Sequence, residues 1–288
     1  MHRPWVAALA RSAGTRTFSR HSLAARATFA HMLDIMLICF AGLLAGSVNS
    51  LAGGGTLLSF PMLVWLGRDA VVANATNALA LWPASLASLV ALRKEAWGER
   101  RMLGLLVPSS LIGGLIGSYT LLVTPARLFD FLVPVLVLAA TVVLALRKQL
   151  AARLPLLAAG EGERISGARL AALCGVQLLV AIYGGYFGAA MGILMLASLG
   201  LFGISDIHAR NAIKNALAAL INGAAAFYFI QAGTIDWRDA ALLGGSAMVG
   251  GYVGARLARR FDPKRVERFV ISFGVAASAI LAYRVLSR

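Results

Sequence analysis

The sequence predicts an all-α polytopic membrane protein built from two homologous repeats, each of four to five helical elements, with about 8–10 membrane segments in all. Three observations point there. Of the 288 residues, 59% are hydrophobic and only 14% charged, against roughly 25% charged in a soluble domain. Apolar runs recur from residue 33 onward, several reaching the ~20 residues that a membrane helix needs. Short motifs also return in the same order half a chain apart. A water-soluble enzyme of this composition would aggregate. The net charge of +15 does not indicate nucleic-acid binding, because the basic residues cluster between apolar runs, where they report orientation.

Residues 1–31 hold Arg3, Arg11, Arg16, Arg20 and Arg26, three of the four histidines and no acid. The composition is that of a transit peptide, without the continuous apolar core of a secretory signal. Met32 opens a natural membrane helix, so translation is expected to begin there, or the extension is a dispensable tail. The first repeat, 32–148, then reads as helices at 33–52, 56–66, 70–92, 102–122 and 128–146. A connecting loop covers 149–168. The second repeat, 169–288, reads as helices at 169–187, 190–202, 211–231, 239–257 and 265–286. The 56–66 run is only about 16 Å as a helix, half of a ~30 Å core. It and its counterpart are expected to be half-helices or re-entrant pieces.

The repeat rests on four matches. Asn-Ala-Leu-Ala falls at 77–80 and 215–218, and Pro125-x-Arg127 with Phe131 recurs as Pro263-x-Arg265 with Phe269. Gly113-Gly114-x-x-Gly117 recurs as Gly250-Gly251-x-x-Gly254, and the stretch 53–67 lies over 188–203. The loops rich in Lys and Arg at 93–101, 147–169 and 256–268 are expected on the cytoplasmic side. The 123–127 loop is equivalent to 256–268 yet carries only Arg127. Equivalent loops on opposite sides imply inverted repeats, at the cost of placing both termini outside.

The stretch SVNSLAGGGTLLSFP at 47–61 interrupts an apolar run with three glycines. A break at membrane depth frees backbone groups that can line a protein-buried cavity. A half-helix N-terminus then offers donors and partial positive charge to an anion. Gly53, Gly54 and Gly55 permit the turn, Thr56 is placed to cap the short helix, and Asn49 lies on the other arm. The alternative is that the glycines only allow close helix packing, which is the preferred reading for Gly113-Gly114-x-x-Gly117 and its copy. Lys214, beside Asn215, is an ionisable residue within an apolar run and so a functional candidate. Its repeat-equivalent is Thr76 beside Asn77. Snorkelling of Lys214 to the interface is the competing reading. Tyr183, Gly185 and Gly188 are candidates at the second, diluted break, whereas Asn222 is expected to bond a neighbouring helix. Lysine, amide and hydroxyl donors without an acid make an anion-binding set.

The twelve acids fall in loops or at helix ends. No G-x-x-x-x-G-K-[ST] loop appears, and no nucleophile–base set lies in the apolar runs. An enzyme is therefore not expected, nor a cofactor or metal site. Cys39 and Cys174 both lie in apolar runs and read as small hydrophobes.

The start LxxxAGLLAGxVNSLAGGGTLLSFPML, the ANATNALAL helix at 73–81, and HARNAIKNALAALING at 208–223 followed by GGYVGARLARRF at 250–261 together resemble the sulfite exporter TauE/SafE family of membrane transporters. The resemblance covers about residues 32–286. It implies a secondary transporter in the cell membrane, exporting sulfite, an organosulfonate or another sulfur-containing or organic anion. The second glycine motif is diluted to Tyr183-Gly184-Gly185-Tyr186-Phe187-Gly188, so the two halves of a site would be unequal. The partners expected are a small anion and the bilayer, with a homo-oligomer left open. The alternative function is a non-transporting membrane scaffold or assembly factor.

Overall fold

The computed structural model describes residues 20–152, 167–204, 206–257 and 263–287. Within them lie helices α1 (Arg20–Ala52), α2 (Thr56–Trp65), α3 (Ala70–Ala91), α4 (Arg93–Gly98), α5 (Arg100–Val123) and α6 (Ala126–Ala152). These are followed by α7 (Gly167–Tyr186), α8 (Met191–Leu201), α9 (Ile207–Gln231), α10 (Trp237–Leu257) and α11 (Pro263–Leu286). The described residues contain no strand.

Helices α1, α5, α6, α7, α9 and α11 each hold a stretch long and apolar enough to cross a membrane. Helices α3 and α10 have 22 and 21 residues, a comparable length. Helices α2 and α8 have 10 and 11 residues, about half a membrane thickness. The structure differs from expectation at several boundaries, and helix α6 runs to Ala152, six residues past the predicted 146 and into the expected loop at 149–168. Helix α1 begins at Arg20 and runs through Met32 unbroken. The basic loop at 93–101 contains the short α4. Helix α9 starts at Ile207, four residues before the predicted 211, because Asp206 caps it by accepting from the amides of His208 and Ala209 at 3.0 and 3.1 Å.

Small residues decide which helices touch. Without a hydrophobic force between helices in lipid, close backbone approach carries much of their association. On α10, Gly250 lies against the backbone of Leu43 and Gly254 against Ser47, both on α1, while Gly251 between them faces Ala84 of α3. On α5, Gly113 lies against Leu178 and Ala181 and Gly117 against Ile182, all on α7, while Gly114 faces Ile221 of α9. A methyl group at most of these positions would overlap backbone. Helix α1 therefore packs on α10, and α10 on α3; α7 packs on α5, and α5 on α9. Helices α3 and α9 meet at the centre, and α6 pairs with α11, where Gly274 abuts Thr141 and Ser278 donates to the Pro134 carbonyl at 2.9 Å. The aromatic contacts Phe60–Phe187 and Phe129–Phe187, edge to face at 5.1 and 6.2 Å between ring centres, fill the core beside the half-length helices.

Candidate functional site

Helices α1 and α7 both stop at a glycine with left-handed backbone. Gly53 has φ +79° and Gly188 φ +74°. The Gly53 amide reaches back to the Val48 and Asn49 carbonyls at 3.2 and 3.0 Å, and the Gly188 amide to Tyr183 at 3.2 Å. These are helix-closing turns that glycine enters at low cost. After three residues the chain starts a short helix, α2 in one case and α8 in the other. The two breaks touch: a Cβ on Gly53 would lie 2.5 Å from the Cα of Gly192, in the first turn of α8.

Lys214 reaches this crossing from α9. Its side chain runs beside Gly192, and Nζ donates to the carbonyl oxygens of Asn49 at 2.7 Å and Ser50 at 3.1 Å. Those carbonyls belong to the last turn of α1, the negative end of the helix dipole. The residue is 1% exposed and lies in the eighth position of its helix, so it does not snorkel. None of the described acidic side chains pairs with it. The corresponding task at the end of α7 falls to Asn74, whose Nδ2 donates to the Tyr186 carbonyl at 2.9 Å.

The other arm of the first break carries a buried polar network. Asn77 on α3 donates through Nδ2 to Thr56 Oγ1 at 3.3 Å and accepts from Ser59 Oγ through Oδ1. Thr56 thus does not cap α2: the N-cap is Gly55, with no side-chain hydrogen bond. The amides of Gly54, Gly55 and Thr56 have no acceptor among the described residues. Gly55 is held against Ala45 and the Cβ of Asn49, whereas Gly54 has only ordinary contacts at 3.5 Å and beyond.

Of the candidates read from the sequence, Asn49, Gly53, Gly54, Gly55, Thr56, Asn77 and Lys214 gather around the first break. Asn215, next to Lys214, is fully buried, and both ends of its amide lack a partner. Four others are occupied elsewhere. Thr76 accepts the Asp236 amide at 3.0 Å, ahead of α10. Tyr183 donates its hydroxyl to the Ala189 carbonyl at 2.7 Å. Gly185 packs against the Gly114 backbone, and Gly188 forms the turn. Sequence reasoning missed Asn74, Ser59 and Asn211, although Asn74 and Asn211 stand three and four residues before named asparagines.

A second charged group lies beyond the short helix α2. Arg68 donates to Asp239 through Nε and, at 3.1 Å, through Nη2, with Asp236 at 3.8 Å. The hydrogen bond that Arg68 donates to Asp239 raises the Arg68 pKa above its ordinary value, against the opposing effect of burial, and Asp236 and Asp34 add to the rise. Asp239 is buried, but its charge is answered by Arg68. A 240 Å³ apolar pocket between α2 and α11, lined by Met62, Trp65, Phe273 and Arg284 among others, shares no group with the crossing.

Long apolar helices, two half-length helices whose breaks touch, and a buried lysine at that point mark a polytopic membrane protein. The chain belongs to the sulfite exporter TauE/SafE family, whose model matches residues 38–281. It is similar to the probable membrane transporter protein YfcA of Escherichia coli (strain K12), 25% identical over 87% of this chain and 88% of that protein. A probable membrane transporter protein of Haemophilus influenzae is 25% identical over 87% and 96% of the two chains. A third, ORF9 of Sinorhizobium sp, is 23% identical over 89% and 93%. No solved structure matches the chain.

Proposed function

We propose that the protein is a secondary transporter that exports a small anion, with sulfite, an organosulfonate or another sulfur-containing or organic anion as substrate, and that the crossing of the two helix breaks is its binding site. The observation that carries this reading is Lys214, a buried lysine with its amine on two helix-end carbonyls and no described acidic partner. A lysine held in low dielectric, when protonated, lowers the cost of bringing in one negative charge, and the anion in turn favours the protonated form. The amides at Gly54–Thr56 add donors at the positive end of α2.

Two near-equal sets of helices support alternating access as the mechanism. One set is α1, α3 and α10, the other α7, α9 and α5, each held by its own glycine contacts. Rocking of one set against the other along the α3–α9 contact would expose the crossing to each side in turn. The matching chain offsets of these contacts support a duplicated unit, and alternating access is best served by an inverted arrangement of the two copies. The test is flux into proteoliposomes over sulfite, thiosulfate, sulfonates and carboxylates, with and without a pH gradient. Uptake of at least one anion, abolished by Lys214→Ala in protein that still inserts, is the expected result. Unchanged flux in that variant removes the proposed site.

A further inference from the structure

Helix α9 carries asparagines at 211, 215 and 222. At 100° per residue these fall within about 40° of one another, on one face, and span roughly 16 Å of the helix axis. All three are buried. Both amide ends of Asn215 and the Oδ1 of Asn211 have no hydrogen-bond partner. Buried amides left unpaired are rare and costly, and such a group points to something that binds it. Because both ends of Asn215 are unmet, the assignment of its oxygen and nitrogen does not matter.

The first half of the chain shows what this amide looks like when satisfied. Asn77 lies 138 residues before Asn215 and is bonded by Thr56 and Ser59. The positions 135 residues after those two, the offset that also relates Gly53 to Gly188, are Met191 and Leu194. Neither side chain carries the hydroxyl that Thr56 and Ser59 supply. The second half keeps the asparagine and lacks its partners.

The unmet groups also restrict what fills them. Asn215 offers one donor and one acceptor, and Asn211 a further acceptor. A fully ionised oxyanion only accepts and would face two carbonyl oxygens. A cation would satisfy those oxygens but meet Lys214. We propose that the solute moves along the asparagine face of α9, and that it is an anion carrying its own O–H or N–H donor, which it gives to Asn215 while its anionic oxygens accept from Asn215 Nδ2 and Lys214. This rests on the reading of the protein as an anion transporter.

The test compares, in proteoliposomes of the full chain, pairs of anions that differ by one hydroxyl: glycolate with acetate, and 2-hydroxyethanesulfonate with ethanesulfonate. The wild type should carry the hydroxylated member of at least one pair about tenfold faster, the worth of roughly one good hydrogen bond. Asn215→Leu should bring that ratio to about one while raising the thermal midpoint of the purified protein, because an unpaired amide is replaced by an apolar group of similar size. Asn222→Leu should slow flux of both members. Equal wild-type rates, a preference kept in Asn215→Leu, or unaltered flux in Asn222→Leu each overturn the inference and leave anion transport standing. Absence of flux for every anion, or flux of cations instead, overturns both.

Discussion

Lys214 and the glycines around the break do different kinds of work. The Lys214 amine answers two helix-end carbonyls, and Lys214→Met leaves the buried one of Ser50 unpaired while Asn49 keeps the Gly53 amide. The expected cost of that one unpaired group is about 1–3 kcal/mol, read as a lowered thermal midpoint in detergent alongside lost flux. Among the glycines, Gly53 needs its left-handed backbone and Gly55 its missing Cβ, while Gly54 needs neither. Gly54→Ala is expected to retain expression and flux. Gly53→Ala should be destabilised by roughly 1–2 kcal/mol from the backbone alone, and more from the clash with Gly192. The GGG run marks the break in the sequence, but it does not show which glycine is indispensable. That depends on Gly192, a residue 139 positions away.

At the scale of elements, helix lengths and the half-length pieces were legible because apolar runs and glycine punctuation are local signals. Partner choice was not, since Thr76 and Asn77 are neighbours in sequence yet face different groups, one at Asp236 and one at Thr56. The start of α9 was misplaced for a similar reason: the polar residues His208 and Arg210 read as loop, while the Asp206 cap holds them in helix. Hydrogen bonds from the His208 and Ala209 amides lower the Asp206 pKa. A depressed carboxylate contributes stability above its unfolded pKa of about 3.9 and loses it as pH falls through the lower folded value. Asp206→Ala should therefore cost about 1 kcal/mol at neutral pH, and the gap from wild type should close as pH drops below about 4. A thermal-melt series from pH 7 to 3 measures it. At the glycine contacts, Gly117→Leu and Gly254→Leu should each prevent folding, whereas Gly104→Leu, at a glycine with open space around it, should not; fluorescence-detected size exclusion separates the two outcomes.

For the whole molecule, the first helix of each half lies against the glycine face of the other half. Reporter fusions in the 123–127 and 256–268 loops should report opposite sides of the membrane if the halves are inverted; same-side signals would reject that topology. The Arg68–Asp239 pair ties the two halves near one end of α10. A double-mutant cycle with Arg68→Met and Asp239→Asn should give a non-additive loss, because removing Arg68 strands the buried Asp239 carboxylate. The crossed packing also bears on how the protein is made. Helix α1 leaves the ribosome roughly 200 residues before the α10 glycines that cover it, and until then its small-residue face meets only lipid or a chaperone. Biogenesis must hold an incomplete bundle open rather than close one half at a time. Residues 1–152 and 153–288 expressed as separate chains should each be degraded alone and accumulate together.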